Sequence, residues 1–128
     1  MPRLFLAIPL PWEVKQTLSE AAEQVKEIFM IFIYVTYPNF KTARKIIRAL
    51  LEKRLVICAN TFPVGSIYRW EDKIEESKET VSILKTTKSN WEKVKKEIAK
   101  IHPYKIPCIV KIEAKADKKY MNWILKNL

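Results

Sequence analysis

Apolar and polar residues follow one another along the first part of the chain in blocks that predict strands and helices in turn. Residues 4–8 form a short apolar stretch that indicates a strand, and residues 12–28 place apolar side chains at helical spacing. Residues 30–37 are almost continuously apolar and end before Pro38, which indicates a second, buried strand. Residues 41–53 return to helical spacing, so a second helix is predicted there.

Two strand-like stretches in the middle of the chain predict a long hairpin. Residues 55–62 indicate a strand, and Pro63-Val64-Gly65-Ser66 is typical of a turn in which the lone glycine adopts a positive φ. The return strand is predicted over residues 67–74 and, after a polar bend, over residues 79–87.

The last third of the chain predicts a helix, a strand and a short final helix. Ser89 is a favourable N-cap for a helix over residues 91–101, and residues 106–114 indicate a strand. Asp117 is a plausible cap for a helix over residues 120–125.

The order of these elements predicts the fold class. From residue 30 onward, strand, helix, strand, strand, helix and strand form a split pair of βαβ units. We therefore predict an α+β protein with a ferredoxin-like fold, in which helices cover one face of an antiparallel sheet. This domain spans residues 30–128, and residues 1–29 are predicted either to add a strand and a helix to it or to be loosely held.

Length and composition are typical of a single folded domain. The chain has 128 residues, of which 48% are hydrophobic and 11% aromatic, enough to bury a core. Its longest apolar run falls well short of the roughly 20 residues that span a bilayer, and its first residues lack the layout of a signal peptide. We therefore expect a cytoplasmic protein without a membrane partner. The single glycine, the seven prolines and the abundant lysine further suggest a thermophile.

The positive charge leaves two interpretations open. Lys and Arg number 24 against 14 Asp and Glu, which gives a net charge of +10 and makes a basic nucleic-acid-binding module an alternative function. Over residues 41–54 and 88–100, however, the basic residues recur at helical spacing, which is typical of a solvated helix face. We therefore treat nucleic acid as the less favoured partner.

The two cysteines, Cys58 and Cys108, form no CxxC pair. Each lies in an apolar stretch, which favours two buried side chains that act as small hydrophobes. A disulfide is the open alternative, because intracellular proteins of hyperthermophiles do form them.

The residues with the most varied chemistry lie in two segments. The return strand of the hairpin interleaves aromatic, acidic and basic residues in Tyr68-Arg69-Trp70-Glu71-Asp72-Lys73-Ile74-Glu75. The only histidine, His102, follows later in a turn that is framed by Pro103 and Pro107.

Taken in order, the motifs of positions 30–128 resemble the CutA family of divalent-ion tolerance proteins. The matching residues are Thr36, Pro38, Cys58-Ala59-Asn60, Tyr68, Trp70, Glu71, Lys73-Ile74-Glu75, Glu79, Lys85-Thr86, His102-Pro103-Tyr104, Pro107, Tyr120 and Trp123. The resemblance implies a homotrimer of ferredoxin-like subunits, similar to the PII signalling proteins, with the long hairpin packed between subunits. An aromatic-rich hairpin supports this independently, because it leaves apolar surface exposed on a monomer.

The resemblance also implies a non-enzymatic role in metal tolerance, with a divalent metal such as Cu(II), or a small ligand, bound at subunit interfaces. His102 is the candidate metal ligand, and a hydrogen-bonded structural role in its turn is the alternative. The candidate interface or pocket residues are Tyr68, Trp70, Glu71, Lys73, Glu75, Glu79 and Tyr104. Tyr68 and Trp70 either pack in the interface or line a pocket between subunits.

The chain departs from the family pattern at three positions. Asp72 stands where the family commonly has glycine. Bacterial members implicated in copper binding carry a cysteine and a second histidine where this chain has Val35 and Ile101. Only His102 remains of that ligand set, and a lone imidazole is a weak ligand because copper and zinc bind several N or S donors.

Residues 1–29 resemble the opening of the LigT-like RNA cyclic phosphodiesterases through the segment Arg3-Leu4-Phe5-Leu6-Ala7-Ile8-Pro9-Leu10-Pro11. That chemistry needs two His-x-Thr/Ser motifs, whereas the only histidine here, His102, precedes Pro103-Tyr104. We therefore expect no phosphodiesterase activity. The sequence also contains no glycine-rich phosphate loop, so we expect a protein that is not an enzyme.

Overall fold

The structure of the protein is a computed structural model that describes residues 30–128. The strand and helix predicted within residues 1–29, together with the LigT-like resemblance, lie outside the described residues. The elements are β1 (Met30–Tyr37), α1 (Phe40–Glu52), β2 (Cys58–Trp70), β3 (Lys73–Thr87), a 3-10 turn (Lys88–Asn90), α2 (Trp91–Ile101), β4 (Ile109–Ala114) and α3 (Lys118–Asn127).

The four strands form one antiparallel sheet in the order β2-β3-β1-β4. β1 lies in the interior of the sheet and pairs with β3 on one side and with β4 on the other. β1 and β2 are joined through α1 but are separated in the sheet by β3, which is the split βαβ arrangement. The predicted α+β, ferredoxin-like fold is confirmed.

The main core lies between the sheet and the two helices α1 and α2. Alternate residues of β1 point to this side, and Ile31, Ile33 and Val35 are fully buried. The two helices contribute their apolar stripes, namely Ala43, Ile46, Ile47, Leu50, Val94 and Ile98. Each buried Leu or Ile contributes about 1.5–3 kcal/mol relative to an exposed one, so this layer holds the helices on the sheet.

The final helix, α3, packs on the opposite face of the sheet. Met30 and Phe32 point away from the main core because they alternate with Ile31 along β1, and they contact Met121 and Ile124 of α3. Asp117 caps this helix as predicted, accepting a hydrogen bond of 3.0 Å from the amide of Lys119. α3 therefore covers one end of this face, and part of the remainder is exposed.

The uncovered part of this second face is called the open face. Strand register brings together the apolar side chains of all four strands there, namely Tyr34, Phe62, Ile83, Val110 and Ile112. Phe62, Val110 and Ile112 are 39%, 46% and 47% exposed. The helices α1 and α2 lie on the other side of the sheet and cannot cover these residues.

The hairpin turn predicted at residues 63–66 is wrong. β2 continues through these residues to Trp70, and the turn consists of Glu71 and Asp72, whose φ angles are 46° and 64°. Gly65 has no positive φ. Two central residues with positive φ match the twist of the flanking strands, and Pro63 is tolerated because β2 is an edge strand of the sheet.

The bend predicted at residues 75–78 is also wrong, because β3 pairs with β2 without interruption from Lys73 to Lys85. The last strand begins at Ile109 rather than at residue 106.

Cys108 is exposed rather than buried, because it precedes β4 at the edge of the sheet. Cys58 is half-buried, and both thiols are free. In residues 30–128, each helix is too short or too polar to cross a membrane.

A buried hydrogen bond joins the two central strands of the sheet. The Tyr37 hydroxyl and Ser82 Oγ lie 2.8 Å apart, and both residues are fully buried. Burial raises the pKa of Tyr37 to about 12, although the hydrogen bond with Ser82 acts in the opposite direction. The phenol therefore stays protonated in the fold.

Replacing Asp72 by glycine is expected to raise the free energy of unfolding by about 0.5 kcal/mol, because glycine adopts positive φ without the clash of a Cβ atom. Gly65→Ala is the matched control. It is expected to be neutral or stabilising by up to about 1 kcal/mol, because nothing lies within 4 Å of the added Cβ. Urea unfolding measures both changes. A loss of stability in Gly65→Ala would place the turn at residues 63–66 instead.

Tyr37 is expected to make stability depend on pH under alkaline conditions. Its pKa rises from 10.0 in the unfolded chain to about 12 in the fold, so between these values only the unfolded chain releases the proton. The contribution of Tyr37 to the free energy of unfolding is fully present below pH 10. Between pH 10 and about pH 12, the free energy of unfolding falls by about 1.4 kcal/mol per pH unit.

Tyr37→Phe is expected to reduce this decline and to cost about 1 kcal/mol at neutral pH, because Ser82 loses its partner. Urea unfolding between pH 7 and pH 12 measures both effects. Tyr34→Phe, on the opposite face of the same strand, is the control that should leave the decline in place. An unchanged alkaline slope in Tyr37→Phe would contradict the assignment.

Candidate functional site

The candidate site lies where the hairpin leaves the body of the sheet, next to the end of α2. We call the group formed by Tyr37, Glu79, His102 and Tyr104 the root cluster. His102 is the C-cap of α2, and its amide donates a hydrogen bond of 2.8 Å to the Ile98 carbonyl. The helix end therefore fixes the backbone of the histidine at the base of the hairpin.

Both ring nitrogens of His102 take part in hydrogen bonds. Nδ1 accepts a hydrogen bond of 3.1 Å from the Tyr104 amide, and Nε2 lies 2.8 Å from the Thr36 carbonyl oxygen. Because an amide can only donate and a carbonyl can only accept, Nε2 carries the proton and the ring is neutral. His102 is 8% exposed and stacks on Tyr37 with ring centroids 5.4 Å apart.

This arrangement bears on the two roles considered for His102. The lone pair of Nδ1 is occupied by the Tyr104 amide, and Nε2 carries a proton, so neither nitrogen is available to a metal ion in this conformation. The geometry therefore favours the structural role, in which the imidazole ties the turn at Tyr104 to β1.

Tyr104 connects this turn to the hairpin. Its hydroxyl donates a hydrogen bond of 2.7 Å to Oε2 of Glu79, and its ring lies 4.9 Å from the ring of His102. Burial raises the pKa of Tyr104, and the hydrogen bond and negative charge of Glu79, with a smaller effect of Tyr68, raise it further. Within the described residues, Oε1 of Glu79 has no hydrogen-bond partner.

The remaining predicted residues lie along the projecting hairpin arm, residues 64–79. Strand register pairs Tyr68 with Glu75 and Trp70 with Lys73, which places these four side chains on the same face as Glu79. Trp70 is 61% exposed and Tyr68 is 43% exposed. Glu71 lies apart from this row, because it forms the turn at the tip of the arm.

The structure brings the predicted residues together only in part. Tyr104 contacts both His102 and Glu79, Tyr68 lies near Tyr104, and the rest extend away from the root cluster. Sequence reasoning missed Tyr37, whose stacking on His102 depends on long-range pairing of the strands. Within residues 30–128, no group of three or more His, Cys, Asp and Glu side chains is arranged to hold a metal ion.

The arm also exposes apolar side chains that sequence reasoning missed. Ile67 and Ile74 are 70% and 68% exposed, and they lie on the face opposite to Tyr68 and Trp70. Two isoleucines in a largely polar strand pair were the available indication, because apolar side chains on an exposed arm contribute to the patches that mark interaction sites.

The Lys85-Thr86 motif has a structural role. Thr86 Oγ1 donates a hydrogen bond of 2.7 Å to the Leu55 carbonyl, and the Asn90 side-chain amide lies 3.2 Å from both groups. Lys85 Nζ lies 5.9 Å from the ring of Tyr120, whose hydroxyl is 3.7 Å from Cys58 Sγ. These contacts fix the start of β2 and the position of α3.

Comparison with known proteins agrees with this architecture. Residues 31–127 match the family model of the CutA1 divalent ion tolerance protein. The divalent-cation tolerance protein CutA of Pyrococcus horikoshii is 40% identical over 98 residues, which are 76% of this chain and 96% of that protein. CutA of Thermotoga maritima is 39% identical over 100 residues, which are 77% of this chain and 99% of that protein.

Solved structures give the same result. The structure described as the periplasmic divalent cation tolerance protein CutA from Archaeoglobus fulgidus matches with a TM-score of 0.75 and 37% identity. The match covers 77% of this chain and 97% of that one. Sequence and structural similarity thus extend over nearly all of residues 30–128, and we conclude that the chain belongs to the CutA1 family of divalent ion tolerance proteins.

Proposed function

We propose that the protein acts in divalent-metal tolerance as a homotrimer, with PII-like architecture, whose interfaces are the open face and the hairpin arm. The observation that carries this proposal is the row of apolar side chains on the open face, where Phe62, Val110 and Ile112 are each 39–47% exposed. Such a contiguous apolar surface on one sheet face is typical of a protein interaction site. Covering it with a second copy removes it from water.

The hairpin arm supports the same proposal. It exposes Tyr68 and Trp70 on one face and Ile67 and Ile74 on the other. A single flat contact covers only one face of a two-stranded arm, so full burial requires that the arm lie between neighbouring surfaces. A closed ring of heterologous contacts provides this arrangement without growth into a fibre.

We further propose that a divalent cation or a small ligand binds near the root cluster, in the cleft that the arm forms with a neighbouring subunit. Glu79 supplies an oxygen that makes no other hydrogen bond in the described residues, and Glu75 lies on the same face of β3. Cu(II) is one candidate, although carboxylates also bind harder ions such as Mn²⁺. His102 acts in this proposal by positioning Tyr104, which holds Glu79.

The family supports metal tolerance and does not favour the nucleic-acid alternative, since the similar proteins of Pyrococcus horikoshii and Thermus thermophilus are divalent-cation tolerance proteins. We propose a binding protein rather than an enzyme.

We propose the cytoplasm as the compartment of this protein. Among its relatives, the Archaeoglobus fulgidus protein is described as periplasmic and an Arabidopsis thaliana protein as chloroplastic.

Replacing Phe62 by glutamate is expected to dissociate the trimer, because a charge would be buried in the interface. Sedimentation equilibrium should give three times the protomer mass of 15.1 kDa for the unchanged chain and a lower mass for the variant. Phe40→Glu is the matched control, since Phe40 is 55% exposed on the helix side. A monomeric unchanged chain, or dissociation by Phe40→Glu, would contradict the proposal.

Glu79→Gln is expected to weaken binding of the divalent cation at least tenfold, because glutamine keeps a hydrogen-bond acceptor for Tyr104 but loses the charge. Calorimetric titration of Cu(II) and Mn²⁺ measures the change. Glu76→Gln, on the opposite face of the same strand, is the matched control and should bind as before. If His102→Ala abolishes binding while Glu79→Gln retains it, the imidazole is the ligand and the carboxylate proposal is wrong.

A further inference from the structure

The solvent side of α1 carries an uninterrupted row of four basic residues, Lys41, Arg44, Lys45 and Arg48, which we call the basic stripe. All four side chains are exposed, and their spacing of three and four residues places them on one face of the helix. Glu52 is the first acidic residue of the helix, at its last position. The stripe faces away from the open face of the sheet, so a homotrimer formed through that face leaves it accessible.

The basic stripe opposes the stability of the helix that carries it. Lys41 and Lys45, and likewise Arg44 and Arg48, are like-charged neighbours four residues apart, which destabilises a helix. Lys41 also lies in the first turn, where the helix dipole disfavours a cation. α1 instead draws its stability from its buried face and from the Asn39 cap, whose Oδ1 accepts a hydrogen bond of 2.8 Å from Thr42.

The four cations also differ in their partners from several other lysines in and next to the helices. Lys53 pairs with Glu97, and Lys95 pairs with Glu92 at 2.7 Å. Within the part of the chain that the structure describes, none of the four stripe residues forms an ion pair. Within residues 30–128, therefore, neither helix stability nor an ion-pair network accounts for the stripe, whereas an anionic partner would.

An exposed aromatic residue extends the stripe at its N-terminal end. Phe40 is 55% exposed, and together with the four basic residues it lines a shallow depression of about 380 Å³. A depression with one aromatic wall and a cationic rim suits an apolar side chain that is flanked by carboxylates. A phosphate backbone offers no apolar side chain to place there, and membrane attachment uses a larger apolar face than one phenylalanine.

We propose that the basic stripe and Phe40 bind an acidic segment of a partner protein, with an apolar side chain of that segment seated against Phe40. The stripe runs over eight residues, from Lys41 to Arg48, or about 10 Å of helix, which matches a contact with a short peptide segment. The carboxylates of the segment would pair with guanidinium and ammonium groups that have no partner within the described residues. This surface would let the protein dock on a second protein while its sheet face holds the homotrimer together.

The test uses the full chain and a fluorescein-labelled peptide of repeated Glu-Glu-Leu, with binding measured by fluorescence anisotropy. Replacing the four stripe residues by glutamine is expected to weaken binding at least tenfold. The control replaces four lysines of α2 by glutamine, namely Lys93, Lys95, Lys96 and Lys100. It removes the same charge and is expected to change binding less than threefold. Equal losses in the two variants would show binding to net charge only and would overturn the proposal.

Two further experiments test the nature of the partner. Phe40→Ala should weaken binding of the Glu-Glu-Leu peptide but not of a Glu-Glu-Ser peptide, and equal effects on both would overturn the role of Phe40. Tighter stripe-dependent binding of oligothymidylate, or of phosphatidylserine vesicles, than of the peptide would identify a different partner and overturn the proposal.

The melting temperature distinguishes a binding role of the stripe from a structural role. The glutamine variant of the stripe removes like-charge repulsion, so its melting temperature should be equal to or above that of the unchanged chain. A lower melting temperature would show that the stripe supports the fold, and the proposal would then be wrong.

Discussion

The structure depends on the strict alternation of side chains along β1, the central strand. Ile31, Ile33 and Val35 are fully buried against the helices, and the residues between them point to the other face of the sheet. A one-residue slip of this strand would exchange the two sets and expose the core. Register therefore fixes at once which residues form the core and which form the open face.

The asymmetry of the sheet determines how the rest of the molecule can function. Helices cover one face, and α3 covers only the end of the other near Met30 and Met121. The exposed apolar residues of the open face would lose their contact with water under a second protein surface, and the burial of apolar surface is a favourable term in association. The hairpin arm exposes further apolar side chains beyond the body of the domain.

The helices, the strands and the fold class could be predicted from apolar periodicity, because a core must bury one face of each element. The position of the turn could not. Pro63 and Gly65 are typical turn residues, yet an edge strand accommodates both, and the positive φ lies at Asp72, where the family commonly has glycine. Pairing of 13 residues of β2 with β3 overrides the local preference at Pro63.

The candidate site could be predicted in residue type but not in role. The sequence identifies His102, Tyr104 and Glu79 as unusual residues, but His102 bonds to Thr36 across 66 positions and Tyr104 bonds to Glu79 across 25. Such partners follow from topology and not from local spacing. Both imidazole nitrogens are used in holding the turn, and the turn in turn holds the Glu79 carboxylate through Tyr104. Sequence similarity to the family identifies the histidine as a candidate ligand. Its hydrogen bonds show whether a ring nitrogen is free to bind a metal ion.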